Sequence, residues 1–111
     1  MNHFWKHRWL EALRSGKYQQ THGCLRDNQG FDCLGVLCDI SNTGKWVQLT
    51  GESYVYSYRI DDTEWCDYLP EAVQGLTGLP RRPRIGNFFL DNLIDHGLSF
   101  SEIASLIQKH Y

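Results

Sequence analysis

The sequence predicts an α+β fold: one mostly helical domain with a small antiparallel β-sheet and a C-terminal αα-hairpin. Three observations carry that expectation. Trp5, Trp9, Ala12 and Leu13 recur at helical spacing near the N-terminus. Tyr54, Tyr56 and Tyr58 alternate with Val55, Ser57 and Arg59, the period of a strand with one face buried. Ser99-Phe100-Ser101-Glu102 spells a capping box before an apolar face made by Phe100, Ile103, Ala104, Leu106 and Ile107.

The first helix is expected over His3–Ser15, with Lys6, His7, Arg8, Glu11 and Arg14 mostly on its outer face. Gly16 suits its stop, because a residue without Cβ enters the left-handed region at little cost. Lys17–Asp27 reads as extended chain, and Asp27-Asn28-Gln29-Gly30 as a turn. The apolar block Phe31–Ile40 fits a buried strand or a buried helix by periodicity. A helix is preferred, with Gly35 as a point where another backbone can approach closely. Trp46, Val47 and Leu49 mark a strand, Thr50-Gly51-Glu52 a turn, and the tyrosine run the second half of a hairpin.

Asp61–Glu64 reads as an acidic loop, and Pro70–Leu76 as a short helix with Pro at its first position, where the missing N–H costs nothing. Gly78–Pro83 is a basic connector. Phe88, Phe89, Leu90, Leu93 and Ile94 are expected to form a helix ended by Gly97, which packs against the last helix as the hairpin.

The chain has 111 residues, enough for a single domain with a modest core. Apolar residues make up 41% and charged residues 22%, ordinary for a folded globule, and the 14% aromatics supply large buried area per residue. A net charge of −2 speaks against a protein that coats nucleic acid and against an acidic mimic of it. No apolar run approaches the roughly 18 residues of a membrane span, and charges interrupt the N-terminal apolar positions, unlike a signal peptide. The expected compartment is the cytoplasm, with Cys24, Cys33, Cys38 and Cys66 as thiols.

Four segments in order carry a resemblance: W-x-x-A-L-R-S-G-K-Y-x-Q from Trp9, G-x-L-R from Gly23, C-L-G-V-L-C-D from Cys33, and L-x-x-L-x-D-x-G-x-S-F-x-E-I-A-x-L-I from Leu90. The chain resembles a family of short phage and prophage proteins over most of its length. That resemblance implies lineage; it assigns no chemistry, cofactor or site residue.

Candidate sites follow from residue chemistry. Arg81, Arg82 and Arg84 lie in a proline-stiffened PRRPR segment. With Arg26, Lys17 and the rings of Tyr54, Tyr56 and Tyr58 they are candidates to frame a pocket for a nucleotide-like anion, guanidinium forks on phosphate and rings on the base. His22, Cys24, Cys33 and Cys38 offer metal-ligand types, but no C-x-x-C pair preorganises them, and buried Cys is common without metal. Cys24, near His22 and between Lys17 and Arg26, is a candidate for a lowered thiol pKa. No nucleophile–base set or oxyanion motif is recognisable, so no catalytic residue and no cofactor are assigned.

The segment FLDNLIDHGLSFSEIASLI resembles part of a helix-turn-helix. Its last helix offers Lys109 as its one Lys or Arg, so direct DNA binding is disfavoured against a packed hairpin. The expected activity is therefore non-enzymatic: stoichiometric binding by a phage or prophage accessory protein. A host or phage protein complex is the partner, including inhibition of a host defence complex. The alternatives are sequestration of a small anion, DNA regulation and a thiol or zinc protein.

Overall fold

The computed structural model describes residues 1–49 and 52–111. Helix α1 (His3–Arg14) begins at Asn2, whose side chain accepts the Trp5 N–H at 3.1 Å, and ends at Ser15, with Gly16 following at φ +76°. It buries Trp9, Leu10 and Leu13. Helix α2 (Cys33–Ser41) is the apolar block, and all residues from Cys33 to Cys38 are buried. Asp32 caps its N-terminus by accepting the Gly35 N–H at 2.7 Å. The Trp9 indole donates to the Cys33 carbonyl at 2.9 Å, fixing α1 on α2.

A four-stranded antiparallel sheet covers the other side of the chain. Strand β3 (Glu52–Ile60) is its spine. Strand β2 (Lys45–Leu49) pairs along one edge, with Trp46 opposite Tyr58 and a register shift between Gln48 and Leu49. The opposite edge is shared by β1 (Arg26–Asp27), next to Tyr56 and Val55, and β4 (Thr63–Trp65), next to Tyr58–Ile60. The Asp61-Asp62 pair makes the hairpin turn, with Asp61 at φ 53°. The expected Thr50-Gly51 turn lies outside the described residues.

Helix α3 (Glu71–Thr77) follows, with Pro70 as its N-cap rather than its first helical residue. Strands β5 (Arg84–Ile85) and β6 (Phe88–Phe89) form a second, two-stranded sheet, and a 3₁₀ turn (Leu90–Asn92) leads toward helix α4 (Phe100–His110). Both bonds of the capping box are present: Ser99 N–H to Glu102 Oε1 at 3.1 Å, and Glu102 N–H to Ser99 Oγ at 3.2 Å. One core cluster joins α1, α2, α4 and the sheet, with Trp9, Leu34, Leu37, Tyr58, Ile103 and Ile107 all but fully buried.

The expectation of a mostly helical chain with one small sheet and a C-terminal αα-hairpin is corrected. Among the described residues helix accounts for 39% and strand for 21%, in two sheets. The Phe88–Ile94 segment is a short strand and a 3₁₀ turn rather than an α-helix, so no C-terminal αα-hairpin forms, and the last helix packs against α1 instead. The physical reason is local and tertiary at once. Gly86 (φ 60°) and Asn87 turn the chain so that Phe88 and Phe89 pair with Ile85 and Arg84. Leu90 N–H then bonds the Pro83 carbonyl at 3.0 Å while its side chain enters the core. Beyond it the N–H groups of Leu93, Asp95, His96 and Gly97 bond three residues back, a 3₁₀-like spacing. Without that first helix the helix-turn-helix reading also falls. Similarly, the acidic loop is shorter than expected, because Thr63 and Glu64 join β4.

Candidate functional site

The residues expected to frame an anion pocket are held in different settings. Arg26 is boxed by rings: its guanidinium lies 4.4 Å from the Tyr56 centroid, 5.0 Å from Phe31 and 5.5 Å from Trp46. Tyr58 is buried, and its hydroxyl accepts the Gly44 N–H at 2.6 Å and sits 3.2 Å from the Thr43 hydroxyl. It is a latch between β3 and the end of α2. Tyr54 is 57% exposed and borders a groove with His22, Cys24, Asp27 and Leu49. Arg82 stacks 3.8 Å from the Phe89 centroid and grips Asp91 through Nε and Nη2, each at 3.1 Å. Arg81 lies over Tyr68, and Arg84 is exposed on β5. Period 2 correctly made Tyr54–Tyr58 a strand, but what each ring meets depends on what crosses the sheet.

The metal-type residues do not gather either. Cys33 and Cys38 are core side chains, Cys24 is half-buried, and His22 is exposed with Nδ1 3.3 Å from Asp95. Among the described residues no three His, Cys, Asp or Glu side chains converge as metal ligands. Burial and then the Asp27, Asp32 and Asp67 carboxylates push the Cys24 thiol up to about 11, opposite to the lowered value that its basic sequence neighbours suggest. Burial likewise holds the Cys33 and Cys38 thiols well above the ordinary range.

Beside Cys24 is a polar cleft of roughly 200 Å³ lined by Asp32, Asp67, Tyr68, Arg82, Asp91 and Asp95. Asp32 is only 2% exposed. Burial raises its carboxyl well above the usual range; the Gly35 and Leu34 N–H groups oppose that shift, and Asp91 and Asp67 reinforce it. Arg82 bonds Asp91 and so neutralises part of the acidic wall of the cleft.

A second accessible feature lies along α1. An open groove of roughly 510 Å³ runs beside that helix, lined by Phe4, His7, Arg8, Glu11, Ala12 and Ser15, with Lys17, Tyr18 and Ile40 as the opposite wall. Phe4, Arg8, Ala12 and Ser15 stand at i, i+4, i+8 and i+11, a single stripe of the helix. Phe4 is 61% exposed and meets Trp5 edge to face at 5.4 Å. Arg8 lies 5.4 Å from the Phe4 ring and 5.6 Å from Trp5. Among the described residues, Arg8 and Lys17 have no carboxylate in ion-pair reach, and Glu11 is engaged by His7 at 3.1 Å. Tyr18 is held in place by donating to Asp39 Oδ2 at 2.5 Å.

The chain belongs to DUF8296. That family model, described as a domain of unknown function, matches residues 1–111. No curated protein and no solved structure matches the chain. For a DUF8296 member the sequence signal for the groove is the Phe4–Arg8–Ala12–Ser15 stripe together with the basic bias of its first 17 residues. Its far wall comes from Tyr18 and Ile40, which only the fold brings to that stripe. Among the described residues no helix is long and apolar enough to cross a membrane.

Proposed function

We propose that this DUF8296 protein is a non-enzymatic phage or prophage accessory protein that acts by stoichiometric binding to a protein complex of its host, including a defence complex. The observation that carries this reading is Phe4, a large apolar side chain left 61% exposed at the edge of a groove, beside an Arg8 guanidinium that has no carboxylate in ion-pair reach among the described residues. Exposed aromatic and Arg side chains concentrate binding energy at protein interfaces. The C-L-G-V-L-C-D block and the flanking motifs support the phage lineage. Arg82, by contrast, is already paired with Asp91, which disfavours the anion-sequestering alternative.

The test is affinity purification of the tagged protein from bacterial host cells, beside a Phe4→Ala/Arg8→Ala variant. The expected result is one host protein retained near 1:1 by the native chain and lost by the variant, with reconstitution from purified components. A native chain that purifies alone at every expression level refutes stoichiometric binding, and equal retention by both chains refutes this surface.

A further inference from the structure

The structure assigns a ligand class to the α1 groove: it takes an acidic, extended segment of a protein partner, laid along the helix with one apolar side chain against Phe4. This inference rests on the binding reading above and deepens it.

Charge is the first argument. Residues 1–17 hold Lys6, Arg8, Arg14 and Lys17 against Glu11 alone, a net +3 in a chain whose total is −2. The remaining 94 residues therefore carry −5, and the molecule is polarised toward α1. Not all four cations are equally available. Lys6 Nζ donates to the Gln108 carbonyl at 3.1 Å and Arg14 to Gln108 Oε1 at 2.8 Å, both tying α1 to α4. Arg8 and Lys17 line the groove with no such tie among the described residues. They are the two cations left for a ligand.

Shape and rigidity are the second. The stripe from Phe4 to Ser15 runs about 17 Å along the helix, the length of about five residues of extended chain. Tyr18 is tied before any ligand arrives by Asp39, whose other oxygen takes the Trp46 indole N–H at 3.0 Å, and Arg8 rests near the Phe4 and Trp5 rings. A preformed site spends less binding energy on ordering. Apolar surface from Phe4, Ala12 and Ile40 gives an anchor residue a place, and the Arg8 fork matches a carboxylate. Carboxylates on a short segment satisfy both cations without burying an unpaired charge.

The experiment is fluorescence anisotropy with three labelled probes: a ten-residue Asp/Glu peptide with one central Trp, the same peptide with Asn/Gln in place of the acids, and a ten-nucleotide oligo-dT. The acidic peptide should bind at least about tenfold tighter than its neutral counterpart, and weaken as salt rises from 50 to 300 mM because exposed charges are screened. Arg8→Glu/Lys17→Glu should lose at least about tenfold while its thermal melting stays within a few degrees, since both side chains are exposed. Phe4→Ala should weaken both peptides alike. Equal binding of the two peptides, no effect of the charge reversal, or no saturable binding overturns the inference. Oligo-dT binding more tightly, with the same Arg8 and Lys17 dependence, replaces the peptide by nucleic acid. The two readings separate cleanly. A partner captured from cells whose retention ignores Arg8→Glu/Lys17→Glu removes the acidic segment and keeps stoichiometric binding. Peptide binding with no cellular partner does the reverse.

Discussion

Replacing Gly35 with Ala should destabilise this protein by about 2 kcal/mol, although Ala is the better helix former. A Cβ built at Gly35 falls 1.9 Å from the Leu25 carbonyl oxygen, 2.8 Å from its carbon and 3.3 Å from its Cα. All three are backbone atoms, so no side chain can rotate away. The same carbonyl accepts the Asp32 N–H at 3.1 Å, so pushing it aside also stretches a bond at the helix N-terminus. Overpacking of this kind costs about 1–3 kcal/mol, and a weakened hydrogen bond about 0.5–1.5 kcal/mol. Against this stands the roughly 1 kcal/mol by which Ala exceeds Gly in a helix. For a domain of this size, about 2 kcal/mol corresponds to a fall in Tm of about 8–12 °C. Gly75 in α3 is the control: a Cβ there meets nothing within 4 Å, and Gly75→Ala should stabilise by about 0.5–1 kcal/mol. Circular dichroism melts of the three proteins decide the matter. A Gly35→Ala protein that melts at or above the native temperature would refute the close approach of α2 to Leu25.

Other consequences are open to measurement. The Asp32 carboxyl is raised in the folded state, so the native protein binds that proton more tightly than the unfolded chain. Its contribution to stability therefore falls as pH rises from the ordinary Asp range near about 4 toward the raised value. Asp32→Asn keeps a cap oxygen and removes the charge, so its stability relative to the native chain should grow between pH 4 and 7; a constant difference across denaturant titrations would contradict this. Tyr58→Phe should cost about 1–3 kcal/mol in urea unfolding, since the Gly44 N–H loses its 2.6 Å acceptor in a part-buried setting; an unchanged midpoint would show that water replaces it. With its pKa near 11 against an ordinary 9.0, Cys24 should react with iodoacetamide at pH 7 about tenfold more slowly than in the unfolded chain, because the scarcer thiolate is partly offset by its greater nucleophilicity. Faster labelling of native Cys24, mapped by mass spectrometry, would mean that the acidic surroundings are misplaced.

Much of the candidate groove was legible one residue at a time and not as a site. Phe4 and Arg8 stood on the expected first helix, yet the conspicuous basic cluster was Arg81–Arg84, whose middle member is committed to Asp91. Arginine density in sequence reports charge; whether the charge is available depends on carboxylates and rings brought from elsewhere. The same holds for Cys24, whose sequence neighbours are basic while its spatial neighbours are Asp27, Asp32 and Asp67.

What the sequence by itself determined are the features set by nearest neighbours along the chain. The span of α1 and its stop at Gly16, the Ser99–Glu102 capping box and the tyrosine strand all follow from periodicity, capping chemistry and backbone freedom. Only the tertiary structure decided the Phe88–Asp95 segment, the two-residue β1 and the groove wall. Phe88, Phe89 and Leu90 satisfy helical and extended periods alike, and the bond from Leu90 N–H to Pro83 together with the Arg82–Asp91 grip selects the second. Arg26 and Asp27 are a strand because β3 presents them an open edge. Tyr18 and Ile40 become a wall because α2 docks against α1 through Trp9 and Cys33. Each of these choices is set by contact free energy between residues distant in sequence, which no local pattern encodes.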